Sequence, residues 1–182
     1  MPYEPPPDLA ALSLPQIAEL VAARKLPPVE QWAPQRTGES RMRIAADGTW
    51  FHDGSPITRS AMVRAFSGLL MRDESGRHWL ITPHERLTIE VEDAPFIAID
   101  VAHKDDDFVF WLNTDELIVA GPDHPLTARG EPELPAFYVH VRRGCEARLN
   151  RSTYEQLVQM ALAQDDGWMV SSGGATFSLL PA

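Results

Sequence analysis

With 182 residues, the chain is one large domain or two small ones sharing an interface, and it needs no disulfide or metal staple to hold a core. Its 26 acidic and 16 basic residues give a formal net charge of −10, which argues against nucleic acid and against an anionic membrane surface as partners. Cys145 is the only cysteine, no apolar run approaches the length of a membrane span, and the start lacks the pattern of a secretory leader, so the expected location is the cytoplasm.

Residues 1–38 read as a proline-rich arm with one short helix. Pro5, Pro6 and Pro7 cannot join a ladder, and Ser13 with Gln16 three residues on forms a capping box ahead of Ile17, Leu20 and Val21. Pro27 and Pro28 end that helix, and Trp32 reads as a plug on the main body.

Residues 39–93 read as a first α+β unit. Met42, Ile44 and Ala46 alternate with polar neighbours, Asp47-Gly48 turns a hairpin into Thr49-Trp50-Phe51, and Asp53-Gly54 turns again. Thr58 is expected to cap a helix with Ala61, Met62, Ala65, Phe66, Leu69 and Leu70 on its inner face, closed by Asp73 to Gly76. Trp79 to Ile81 and Leu87 to Val91 follow as strands across Pro83.

Residues 94–182 read as a second unit. Strands are expected over Phe96 to Val101, Phe108 to Leu112 and Leu117 to Ala120, with Gly121 to Pro135 as a connector because it holds four prolines. Phe137, Val139 and Val141 alternate into a turn at Gly144 and a strand over Cys145 to Leu149. A helix begins near Ser152, where Ser152 to Glu155 fits a capping box, with Tyr154, Leu157, Val158, Ala161 and Leu162 facing inward. Trp168 to Val170 and Thr176 to Leu179 form a last hairpin.

The two units look like copies. Ile57-Thr58-Arg59-Ser60 lies over Leu149-Asn150-Arg151-Ser152 at an offset of 92, and deleting three turn residues sets Trp79 over Trp168. The expected fold is therefore α+β, with antiparallel sheets, one helix per unit and an internal duplication of a ββαββ-like motif.

Asp47 to Phe51, Gly54 to Ile57 with Arg59, Thr82-Pro83 with Glu85, and Val91 to Phe96 together resemble the bacterial domain of unknown function 1285 family. Ala120 to Pro122, His124 to Leu126 and Tyr138 to Arg142 continue the likeness, which runs from about Val29 to the end. The resemblance implies a duplicated α+β core whose C-terminal unit is superficially pleckstrin-homology-like. It also implies a groove between the units for a nucleotide-like ligand, with a role in signalling.

For catalysis the residues offer little. The serines lie in no nucleophile elbow, and the six histidines show neither H-x-x-x-H nor H-E-x-x-H spacing. Asp105-Asp106-Asp107 lacks the spaced ligands of a calcium loop, so neither a metal nor a cofactor is expected.

Arg59 and Arg151 each follow a helix cap, where backbone donors and a guanidinium together suit phosphate or carboxylate; the alternative is a pair that pins helix to sheet. Arg59, Trp50, Thr82, Glu85 and Arg143 are the candidate ligand-binding residues, Thr82 and Glu85 resting mainly on the family likeness. The favoured function is a non-enzymatic sensor of a small anionic, nucleotide-like molecule. A protein-interaction module is the alternative, and a hydrolase using His52 or His84 the third; a homodimer and a protein partner both stay open.

Overall fold

The structure, a computed structural model, describes residues 13, 15–16, 26–165 and 167–182. Ser13 N donates to Gln16 Oε1 at 2.9 Å and Gln16 N to Ser13 Oγ at 3.4 Å, the reciprocal pair of a capping box. Ile17, Leu20 and Val21 lie outside the described residues. Trp32 packs beside Val29, Trp79 and Ile81, as a plug should.

The first unit holds strands β1 (Arg36–Ile44), β2 (Trp50–His52), β3 (Ser55–Pro56), β4 (Leu70–Arg72), β5 (His78–Ile81) and β6 (Glu85–Val91), with helix α1 (Ser60–Ser67) between β3 and β4. The second holds β7 (Phe96–Lys104), β8 (Asp107–Leu112), β9 (Leu117–Val119), β10 (Leu126–Glu131), β11 (Leu134–Arg142) and β12 (Cys145–Leu149). Helix α2 (Arg151–Ala163) and a hairpin of β13 (Met169–Ser172) and β14 (Ala175–Ser178) follow. The chain is thus an α+β protein of two six-stranded sheets with one helix per unit. Among the described residues no helix is long and apolar enough to cross a membrane.

The sheet orders expose the duplication. The first sheet runs β3-β2-β1-β6-β5-β4, and the second, read from the other edge, runs β9-β8-β7-β12-β11-β10. Each is two antiparallel meanders joined by one parallel pair, β1 with β6 and β7 with β12. β1 starts at Arg36 and β7 at Phe96; β6 starts at Glu85 and β12 at Cys145, a spacing of 60 residues in both cases. This corrects the offset of 92. The helices occupy different places in the two units, and Trp79 lies 6% exposed in a six-stranded sheet while Trp168 is 46% exposed ahead of a separate hairpin. Two amphipathic helices align at many offsets because their apolar period is short, so helix over helix was a poor guide to register.

Three local readings change as well. The segment expected as a connector contains β10, whose Leu126 and Ala128 point inward and which pairs with β11; its prolines sit before the strand, in the turn and opposite Gly130. Helix α1 buries Ser67 and half-buries Val63 and Phe66, spaced i, i+3, i+4, while Ala61, Met62 and Ala65 are exposed. Its N-cap is Arg59 rather than Thr58, Leu70 already belongs to β4, and Asp73 to Gly76 turns a hairpin rather than ending the helix. On α2, Asn150 is the cap, accepting from Thr153 N at 2.9 Å, and Leu162 is exposed.

One continuous core crosses both units, from Ile44, Trp50, Leu80 and Ile89 to Phe96, Phe110, Phe137 and Leu157. Two glycine turns bring the units together. Gly48 (φ +89°) lies so close to Ile97 and Asn113 that a Cβ would sit 2.6 Å from Ile97 Cγ1. Arg143 (φ +50°) and Gly144 (φ +75°) make the two-residue turn between β11 and β12, with positive φ at both positions as such hairpins require. There Arg72 N donates to Arg143 O at 2.9 Å, which ties the turn to edge strand β4 of the first unit.

Candidate functional site

A cleft of about 730 Å³ opens where the β1–β2 turn of the first unit meets the second unit. Its apolar lining comes from Ile97 and Ile99 on β7, Leu134 and Phe137 on β11, and Tyr154 on α2, with Leu134 76% exposed at its edge. Phe137 and Tyr154 stack with ring centroids 4.6 Å apart. The polar rim holds Asp47, Arg148, Asn150, Arg151 and Glu155. The β7–β12 parallel register, Arg148 beside Ile97 and Leu149 beside Ala98, brings the ends of these strands to one place, and the cap at Asn150 starts α2 directly beside them.

The rim charges differ in how they are held. Arg148 Nη1 donates to Asp93 Oδ2 at 2.6 Å, and Tyr138 Oη donates to Asp93 Oδ1 at 2.7 Å. Asp93 thus joins the segment between the units to β11 and β12. Arg151 is far more open, 92% exposed, with one ion pair to Glu155 at 3.0 Å on its own helix. Asp47 Oδ1 accepts from Thr49 N at 2.9 Å, and that bond holds its carboxyl below the usual range.

The residues singled out from sequence lie elsewhere, and none of the five lines this cleft. Trp50 is 1% exposed in the core, stacked on Phe66, with its Nε1 lacking a partner. Thr82 closes the β5–β6 turn, its Oγ1 accepting from Glu85 N at 3.1 Å and donating to Glu85 O at 3.0 Å. Arg143 is 5% exposed because its turn aims it between the N-terminal segment, where it donates to Pro27 O at 2.7 Å and pairs with Glu30, and the end of α1, where it donates to Gly68 O at 2.7 Å. Arg59 is exposed and makes no side-chain capping bond. Its sequence partner Arg151 reaches the cleft and Arg59 does not, because α1 and α2 are not equivalent elements. The sequence places Asp47 in a turn and in the stretch that carries the family likeness, without marking it as a ligand residue; the docking of that turn gives it a place on the rim.

Cys145 is fully buried, and burial pushes its thiol up to about 12, which keeps it protonated and inert. His52 Nε2 lies 3.6 Å from Asp53 Oδ2, too far for a hydrogen bond, with both side chains half exposed. Among the described residues no group of His, Cys, Asp and Glu is placed to hold a metal ion.

The model of the N-terminal domain of DUF1285, a domain of unknown function, matches residues 27–94, and that of the C-terminal domain matches residues 95–179. The chain belongs to the DUF1285 family. A crystal structure of a DUF1285 family protein from Silicibacter pomeroyi DSS-3 is 40% identical with a TM-score of 0.75, covering 94% of this chain and 97% of that one. A DUF1285 family protein from Shewanella baltica OS155 shares the fold at 22% identity and a TM-score of 0.53, covering 65% of this chain and 90% of that one. No curated protein matches. In this DUF1285 chain the boundary between the two family domains falls at Ala94 and Pro95, beside the Asp93 that clasps Tyr138 and Arg148.

Proposed function

We propose that the chain is a non-enzymatic, cytoplasmic sensor that binds a small anionic, nucleotide-like molecule in the cleft between its two units, with a role in signalling. The observation that carries the reading is the lining of the 730 Å³ cleft: a stacked aromatic pair and apolar strand residues, with two arginines among its polar groups. That volume falls within the range of ordinary ligand pockets, and an apolar lining with few polar groups is the usual form of one. The flat body of the ligand lies along Tyr154, and its anionic group meets Arg151.

Thermal-shift measurements with a panel of nucleoside monophosphates test this. A ligand at about a hundred times its Kd raises the melting temperature by roughly 5 °C or more in a chain of this length. Arg151→Ala leaves the melting temperature without ligand nearly unchanged, since that side chain is 92% exposed, and abolishes the shift. A panel that shifts neither protein, or both alike, sinks the reading.

One feature favours the alternative of a protein-interaction module. Leu162, Trp168, Met169 and Leu180 are 39–55% exposed at the end of α2 and along the last hairpin. If that surface is the functional one, Trp168→Asp abolishes capture of a protein partner while Arg151→Ala leaves it intact. Equal capture by wild type and Trp168→Asp argues against it.

A further inference from the structure

We infer that the ligand carries, besides its anionic group, hydrogen-bond donors that engage Asp47, which makes Asp47 the specificity residue of the cleft. This rests on the proposed function of the cleft and deepens it. Asp47 and Ala46 are the first unit's contribution to the lining; the other lining residues come from the second unit. Asp47 Oδ1 accepts from Thr49 N at 2.9 Å, and the Thr49 side chain also hydrogen-bonds to the carboxylate; a carboxylate offers about four lone-pair sites, so acceptor capacity is left for a ligand. The turn that carries it is fixed from below by the contact of Gly48 with Ile97 and Asn113, so the carboxylate is held in place rather than swinging free.

The balance of charge on the rim points the same way. Arg148 and Arg151 face the cleft together with Asp47 and Glu155, so two cations are matched by two carboxylates. Arg148 is already neutralised by Asp93, and Arg151 pairs with Glu155. A bare anion entering this space gains little, because Asp47 repels it as Arg151 attracts it. A molecule that adds donors turns that repulsion into a charge-assisted hydrogen bond, and it then bridges the two units. Two parts of a nucleotide share this chemistry: the ribose diol, and a base edge with adjacent N–H groups such as that of guanine.

Titration calorimetry on the full chain separates the cases with four probes: guanosine monophosphate, adenosine monophosphate, 2′,3′-dideoxyguanosine monophosphate and inorganic phosphate. Wild type is expected to bind guanosine monophosphate about tenfold more tightly than at least one nucleotide analogue, the gain of a hydrogen bond to a charged group. Weakening with the adenine analogue assigns the base edge; weakening with the dideoxy analogue assigns the diol. Asp47→Asn keeps the Oδ1 acceptor for Thr49 N and therefore the turn. It is expected to shrink the preference to within about threefold and to bind phosphate at least as tightly as wild type. If wild type binds the three nucleotides alike, or Asp47→Asn leaves the preference intact, the inference is overturned while the cleft stands. If wild type binds none of the four, the cleft reading itself has failed.

Discussion

Glu116→Ala is expected to cost about 3–5 kcal/mol of stability, because it strands a buried guanidinium. Glu116, 5% exposed, pairs with Arg142, 13% exposed, through both carboxylate oxygens. Thr114 Oγ1 adds a hydrogen bond to Glu116 Oε1 at 2.9 Å, and Arg142 Nη2 donates to Ser67 O at 3.2 Å at the end of α1. Arg142 also lies over the Phe96 ring, 5.1 Å from its centroid, and its Nε has no partner. The cluster therefore pins the β8–β9 turn, β11 and the first unit's helix to one another. With the carboxylate gone, the charge keeps its burial and loses its counterion. Urea unfolding followed by tryptophan fluorescence reads the loss, and the melting temperature falls by roughly 10 °C for a chain of this size. The double variant Glu116→Leu/Arg142→Met recovers most of it, since an apolar pair of similar volume avoids the desolvation cost. A loss under about 1 kcal/mol for Glu116→Ala would falsify the account of the pair as a buried clamp.

Gly48→Ala is the second large effect, at about 2–4 kcal/mol. A left-handed conformation costs a residue with a Cβ on the order of 1–2 kcal/mol, and pressing that Cβ into a packed neighbour adds a similar amount. At Gly48 both apply, with φ at +89° and the new methyl 2.6 Å from Ile97 Cγ1 and 3.0 Å from Asn113 Nδ2. Gly54, at φ +80°, has nothing within 4 Å of an added Cβ, so Gly54→Ala reports the backbone penalty alone. The difference between the two variants in a denaturant titration measures the seating of the β1–β2 turn on the second unit. Equal losses would mean that the seating contributes nothing. Because the same turn carries Asp47, Gly48→Ala also disturbs the cleft rim, and Gly54→Ala does not.

Much of the fold was legible where a local rule acts alone. Asp47-Gly48 and Asp53-Gly54 turn as such pairs do, Phe96 to Val101 reads as strand, and Leu157 with Ala161 marks the inner face of α2. The misses are places where tertiary pairing overrides local pattern. β4 is three residues long and continues the apolar rhythm of the helix before it; only its pairing with β5 makes it a strand. β10 hides among prolines that fall outside its inward positions. The register of the repeat was out of reach because it resides in strand order, and two parallel pairs between distant segments leave no short-range trace. The cleft was illegible for the same reason: Asp47, Ile97, Leu134 and Tyr154 belong to four segments that meet only through those pairings. The sequence pattern notes both twin arginines but favours Arg59 as the ligand residue, whereas of the two it is Arg151 that lines the cleft.

The parallel pair at the centre of each sheet also bears on how the chain folds. In each unit the first strand of the sheet hydrogen-bonds to the last, Arg36 beside Glu85 and Phe96 beside Ala147. Neither meander has a partner until the last strand of its sheet has been made, so each sheet closes by one long-range step rather than by zipping from a hairpin. Loops of that length make closure slow, and they leave apolar strand faces open meanwhile. During synthesis the first unit reaches its closing strand while the second is still emerging, and it must wait for Ile97 and Asn113 before the Gly48 turn has a seat. The cleft needs Arg148 and Leu149 on β12, so it cannot form before the second sheet has closed.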